Sequence, residues 1–140
     1  MMTRIRTLLG SILLLMATMA SAQTIHFTMP FSFVAGNKSL PASDYMVELN
    51  TDSGTHGIIV LRRDGQQPMM LLVAIGKQYF VAPEHSQLVF HRYGTSFFLA
   101  ELRTEGDSTG RALATSDREK EMAHNSRPDQ KIVAEARNRP

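Results

Sequence analysis

The 140-residue chain contains no cysteine and no tryptophan. Without cysteine there can be no disulfide, thiol nucleophile or thiolate metal ligand, and no lipid anchor of the kind bacterial lipoproteins carry on a cysteine at the cleavage point. Stability must come from packing alone. Charge of one sign is lacking too: 15 Lys and Arg face 13 Asp and Glu, a formal net charge of +2. The apolar run from Leu8 to about Met19 falls short of the roughly 20 residues a spanning helix needs.

That short run has another reading. Arg4 and Arg6 precede it and the small residues Ala20-Ser21-Ala22 follow it, the order of a secretory leader with an A-x-A cleavage site. Residues 1–22 are expected to be a signal peptide cut after Ala22 (a cut after Ala20 being the weaker choice), leaving Gln23 as the mature N-terminus. Ile5 separates the two arginines, so general secretion is favoured over the twin-arginine route. The expected location is secreted or periplasmic, with no membrane span after cleavage.

Removing the leader takes Arg4 and Arg6 with it and leaves 118 residues carrying 13 Lys and Arg against 13 Asp and Glu. A neutral chain does not favour nucleic acid or an anionic bilayer as partner. Its length suits one domain with one core.

Residues 25–33 alternate through Ile25, Phe27, Met29, Phe31 and Phe33, the period of a half-buried strand. Pro30 lacks a ladder donor, which places it at an edge or a bulge, and Gly36-Asn37 marks a turn. A second alternation through Tyr45, Val47 and Leu49 predicts another strand, followed by a loop over 50–57. Ile58 to Leu61 and Met69 to Ile75 are unbroken aliphatic runs separated by residues 62–68, predicting a central hairpin covered on both faces. Residues 76–86 fit either a loop with an apolar tip or a short strand.

Residues 87–93 and 96–102 flank Gly94-Thr95, and glycine at the first loop position suits a type II′ hairpin. The implied register sets Tyr93 opposite Ser96, Phe90 opposite Leu99 and Leu88 opposite Glu101. One face then carries Leu88, Phe90, Phe97 and Leu99, the other Val89, Tyr93, Phe98, Ala100 and Leu102.

Past Arg103 the polar stretch Thr104 to Gly110 reads as a loop. Ser116-x-x-Glu119 is a capping-box pattern that predicts a helix over 117–124, broken by Pro128. Residues 129–137 predict a second short helix before a frayed end. The expected fold is all-β, a small antiparallel sandwich or barrel of six to seven strands, with a β domain over 23–115 and a charged helix and mobile tail over 116–140.

Pro30-Phe31-x-Phe33, Gly36-Asn37-Lys38-x-Leu40-Pro41-Ala42-x-x-Tyr45, Leu88 to Gly94 with Phe98-Leu99, and Gly110-Arg111-x-Leu113 together resemble a family of short, uncharacterised secreted β-rich proteins associated with Acidobacteria. Ser43 departs from the glycine usual at that position of the family. The resemblance spans about Gln23 to Glu121, most of the mature chain, implies export, and implies no activity.

Among polar clusters, His91-Arg92-Tyr93 is the densest beside a strand, with His91 and Tyr93 on one face and Arg92 on the other. With the apolar tip Tyr79-Phe80 it forms the candidate binding set: Tyr79, Phe80, His91, Arg92 and Tyr93. Arg92 paired with a carboxylate and Tyr93 closing the hairpin is the purely structural alternative. His26 and Met29, with Met69-Met70, contain the ligand types of a copper carrier, but residues three apart on a strand face opposite ways. Zinc from Asp52, His56 and His85 lacks an enforcing spacing. No G-x-S-x-G elbow occurs, and Glu84, Glu101 and Glu105 are the carboxylates available to a small hydrolase. Asn37-Lys38-Ser39 fits a turn as well as a glycosylation acceptor. The expected function is a non-catalytic binding or structural module of the periplasm or envelope, without cofactor. An extracytoplasmic ligand or envelope component is its expected partner; a hydrolase and a metal carrier are the alternatives.

Overall fold

The computed structural model describes residues 23–51, 56–63, 65–128 and 130–136; the leader and its cleavage site lie outside them. The strands are β1 Gln23–Met29, β2 Phe33–Ala35, β3 Lys38–Leu40, β4 Ser43–Thr51, β5 His56–Arg63, β6 Pro68–Gln78, β7 Gln87–Tyr93, β8 Ser96–Arg103, β9 Thr109–Leu113 and β10 Gln130–Glu135. One helix, α1, spans Asp117–Asn125. The described residues are all-β as expected, with ten strands among them rather than six or seven.

The strands form one mixed sheet in the order β1-β4-β5-β6-β9-β8, and β8 pairs in addition with β2 and with β7. β3 pairs β2, and β10 pairs β7. A bridge between Phe27 and Ala136 links β1 to the residue after β10, and the sheet is not closed. The pairing is not purely antiparallel: β2 runs parallel to β8 through Val34 and Phe98. Ile25, Phe27 and Met29 of β1 face the core with Tyr45, Val47 and Leu49 of β4, Ile59 and Leu61 of β5, and Leu88, Phe90, Leu99 and Leu102. The Tyr45 side chain is fully buried, and its hydroxyl donates to the Pro41 carbonyl at 2.5 Å.

Three differences from the sequence reading have physical causes. β2 and β3 are three-residue strands joined by the Gly36-Asn37 turn, too short to show an alternation. β9 lies in a stretch with little apolar content, and its pairing comes from β6 and β8. Residues 130–135, expected as a helix, run as β10 along β7, where an open strand edge supplies hydrogen bonds that outweigh local propensity.

The Gly94-Thr95 turn forms as predicted: Gly94 has φ 61° and Thr95 stays at negative φ, the type II′ pattern. Tyr93 faces Ser96 and Phe90 faces Leu99. Beyond them the register shifts between Val89 and Phe90, so Val89 pairs Glu101 and Leu88 pairs Leu102 rather than Glu101. Ala100 is the extra residue of a bulge, and a one-residue slip turns every later side chain over. Leu102 consequently joins the core with Leu88 and Phe90, and Glu101 turns to the outer side.

Candidate functional site

β6 runs unbroken to Gln78, so residues 76–86 divide: 76–78 continue the strand, and Tyr79 to Ser86 form a loop. Tyr79 folds back over the outer face of the sheet. A Cβ on Gly110 would lie 2.5 Å from the Tyr79 Cε2 atom, so glycine is required where the ring crosses β9. The Arg103 guanidinium stacks on the same ring, 3.7 Å from its centroid, with Lys77 Nζ at 5.5 Å. Both distances are within the range of cation–π attraction.

Glu101, turned outward by the bulge and 4% exposed, lies at the centre of this group. Burying a carboxylate is costly unless donors replace its water. Lys77 Nζ donates to Oε1 at 2.7 Å, the Tyr79 hydroxyl donates to Oε2, and Arg103 Nε lies 3.6 Å from Oε2. The hydrogen bond to Glu101 raises Lys77 above the usual lysine value. Burial, and then the hydrogen bond to Glu101, raise Tyr79. A carboxylate held by these donors is spent largely on holding the structure together.

The loop beyond Tyr79 is braced at both ends. Tyr79 N–H donates to the Ser108 carbonyl at 2.8 Å, Gly106 N–H to the Pro83 carbonyl at 3.0 Å, and Ala136 N–H to the Ser86 carbonyl at 2.8 Å. Ser86 Oγ accepts from the Glu105 N–H at 3.0 Å. Between these braces stand Phe80, fully exposed, and Val81, 79% exposed.

The second predicted cluster assembles elsewhere. His91 and Tyr93 share a face, as expected, and both reach Glu119 of α1: His91 Nδ1 lies 2.6 Å from Oε1, and the Tyr93 hydroxyl donates to the same oxygen at 3.1 Å. Burial, and then the Glu119 carboxylate, raise Tyr93. Ser116 caps the helix by accepting the Glu119 N–H at 3.2 Å, while the Glu119 carboxylate, 4% exposed, pins α1 to β7. Arg118 Nη1 donates to Ser39 Oγ at 2.9 Å. Arg92 Nε donates to the Gly94 carbonyl at 2.9 Å, and so braces the hairpin turn. The five candidate residues thus do not converge in one site. Tyr79 and Phe80 share the loop, while His91 and Tyr93 anchor the helix.

Sequence reasoning missed a third feature. The β5–β6 hairpin, expected to be covered on both faces, is bare on its outer side: Ile58 is 46% exposed, Leu71 69%, Val73 68% and Ile75 53%. An unbroken aliphatic run shows that both faces are apolar, and cannot show which one the fold leaves open.

The remaining candidates stand apart. Met29 is buried in the core while His26 faces the other side, and His56, Glu84, His85 and Glu105 are exposed. Asp52 lies outside the described residues, and among the described ones no three His, Asp or Glu side chains gather as metal ligands would. No described helix is long and apolar enough to cross a membrane. A hollow of 280 Å³ lies where β6 runs on past the end of β9, between Leu71, Leu72, Val73, the Gly36-Asn37 turn and residues 113–117. No family model, curated protein or solved structure matches the chain.

Proposed function

We propose that this is an exported, non-catalytic binding module whose ligand contact is the apolar tip Phe80-Val81. The observation that carries the reading is a fully exposed phenylalanine on a loop hydrogen-bonded at both ends. A free loop would lose conformational entropy on binding, whereas the brace formed by Tyr79, Glu101 and Ser108 has already met that cost in the folded state. Burying the two side chains against an apolar surface is worth about 3 to 6 kcal/mol before the cost of association. That gain suits a moderate-affinity contact with an envelope component. The reading of residues 1–22 as a signal peptide supports a periplasmic or secreted location, and the commitment of Glu101 and Glu119 to structural hydrogen bonds supports binding over hydrolysis.

The test is a photo-crosslinking phenylalanine analogue at position 80, activated in the native cell envelope. One discrete adduct is expected, outcompeted by wild-type protein and not by a Phe80→Ser/Val81→Ser variant. Absence of any adduct, or hydrolase activity of the purified protein lost on changing a single Glu or His, would overturn the reading.

A further inference from the structure

The bare side of the hairpin is ordered in rows. Across the strands, Ile58 stands opposite Val73, Val60 opposite Leu71, and Ile75 lies between His56 on β5 and Ala112 on β9. Ile58, Leu71, Val73 and Ile75 are exposed in this field, with Val60 buried and Ala112 half-buried among them, and none of the six carries a charge. Charged and polar groups occupy its margin: Glu48 and Arg62, 3.5 Å apart, on the β4 side, and His56 and Lys77 at the end where β6 meets the Tyr79 brace.

We propose that this face is the interface of a homodimer, each copy laying its β5–β6–β9 face on the same face of the other. Size is the first argument. Ile58, Leu71, Val73 and Ile75, each about half to two thirds exposed, together bare an apolar accessible surface of roughly a few hundred Å². A standard interface takes about 800 Å² from each partner. The apolar rows therefore supply the centre, and Glu48, His56, Arg62 and Lys77 the rim, the layout of stable interfaces. Charge is the second. Homodimer centres are the most apolar interfaces, and the chain without its leader carries 13 charges of each sign, so no net repulsion opposes two copies. Two such faces stack as sheets do in a sandwich, about 10 Å apart, and the contact is isologous. The interface is separate from the Phe80 tip and does not depend on it.

The test is analytical ultracentrifugation of the 23–140 chain across the micromolar range. The wild type is expected to be a dimer. Val73→Lys places an unpaired charge at the centre and is expected to weaken the dimer by more than about 100-fold with an unchanged circular-dichroism spectrum, since residue 73 is exposed in the single chain. Phe80→Ser should leave the dimer intact. Because the chain has no cysteine, Val73→Cys gives a second reading that does not depend on the lysine variant folding: a thiol-reactive bifunctional cross-linker long enough to span the roughly 10 Å between the sheets should join two copies through residue 73. A monomeric wild type, a Val73→Lys protein that still dimerises, or a Val73→Cys protein that does not cross-link would overturn the proposal.

Discussion

Tyr79 and Gly110 are fitted to each other: the tyrosine ring occupies the space in which any other residue at position 110 would place its Cβ. The ring could not otherwise lie flat enough to reach Glu101 with its hydroxyl and offer its face to Arg103. Gly110→Ala should therefore destabilise the fold by about 1 to 3 kcal/mol through overpacking. The penalty should shrink in a Tyr79→Ala background, where the ring is gone. Urea denaturation of the two single variants and the double variant reads this coupling directly, and additive effects would refute the fit.

Glu119 holds α1 to β7 through His91 and Tyr93. Few apolar groups assist, since Met122 and Ala123 are the helix's only ones apart from aliphatic stems. Glu119→Ala should cost about 1 to 3 kcal/mol, the usual penalty for leaving buried donors without their acceptor. Hydrogen exchange should rise across residues 117–125 well before it rises in β4 or β5. Equal protection in both proteins would show that the helix is held by something else.

The chain's three tyrosines, Tyr45, Tyr79 and Tyr93, are all raised above the usual value of 10.0, each chiefly by burial. Lys77 is raised above 10.5, chiefly by its hydrogen bond to Glu101. A group whose pKa is higher in the folded state stabilises fully below its unfolded value and loses that contribution as pH rises through its folded value. These four groups should therefore leave stability level through neutral and mildly alkaline pH and lower it together above about pH 10. With no tryptophan present, the tyrosinate absorbance belongs to these three residues. Its midpoint should lie above 10 and move down when urea unfolds the protein.

Tyr45→Phe removes the hydroxyl that donates to the Pro41 carbonyl and keeps the buried ring. The loss should be about 0.5 to 1.5 kcal/mol, visible as a lower thermal midpoint. Tyr45→Ala should cost about 3 to 5 kcal/mol, as for other large aromatic truncations.

Where local patterns decide the structure, the sequence was readable. Gly94 at the first turn position was enough to set the β7–β8 hairpin as far as Phe90 and Leu99. Ser116 and Glu119 were enough to start α1. The Ala100 bulge left no trace in a run of apolar residues, because Leu88 opposite Leu102 looks as reasonable as Leu88 opposite Glu101. That slip places Glu101 beside Lys77 and Tyr79, so the group bracing the loop was out of reach until the register was known. Tyr79 and Phe80 could be named as an apolar tip, but the contrast between one pinned ring and one bare ring arises from contacts with β8 and β9 that are distant in sequence. β10 was misread for a similar reason, since its pairing partner lies some 40 residues earlier along the chain.

The bridge between Phe27 and Ala136 also sets an order of assembly. The β4–β5–β6 and β7–β8 hairpins need only neighbouring chain and can form early. The meeting of the first strand with the segment after the last one needs almost the whole polypeptide, which is the slow kind of contact. β1 is the first strand of the chain and, until Ala136 arrives, pairs with β4 alone. During that interval β1 has a bare edge, and the protein is then most open to capture by a chaperone or to pairing with another incomplete chain.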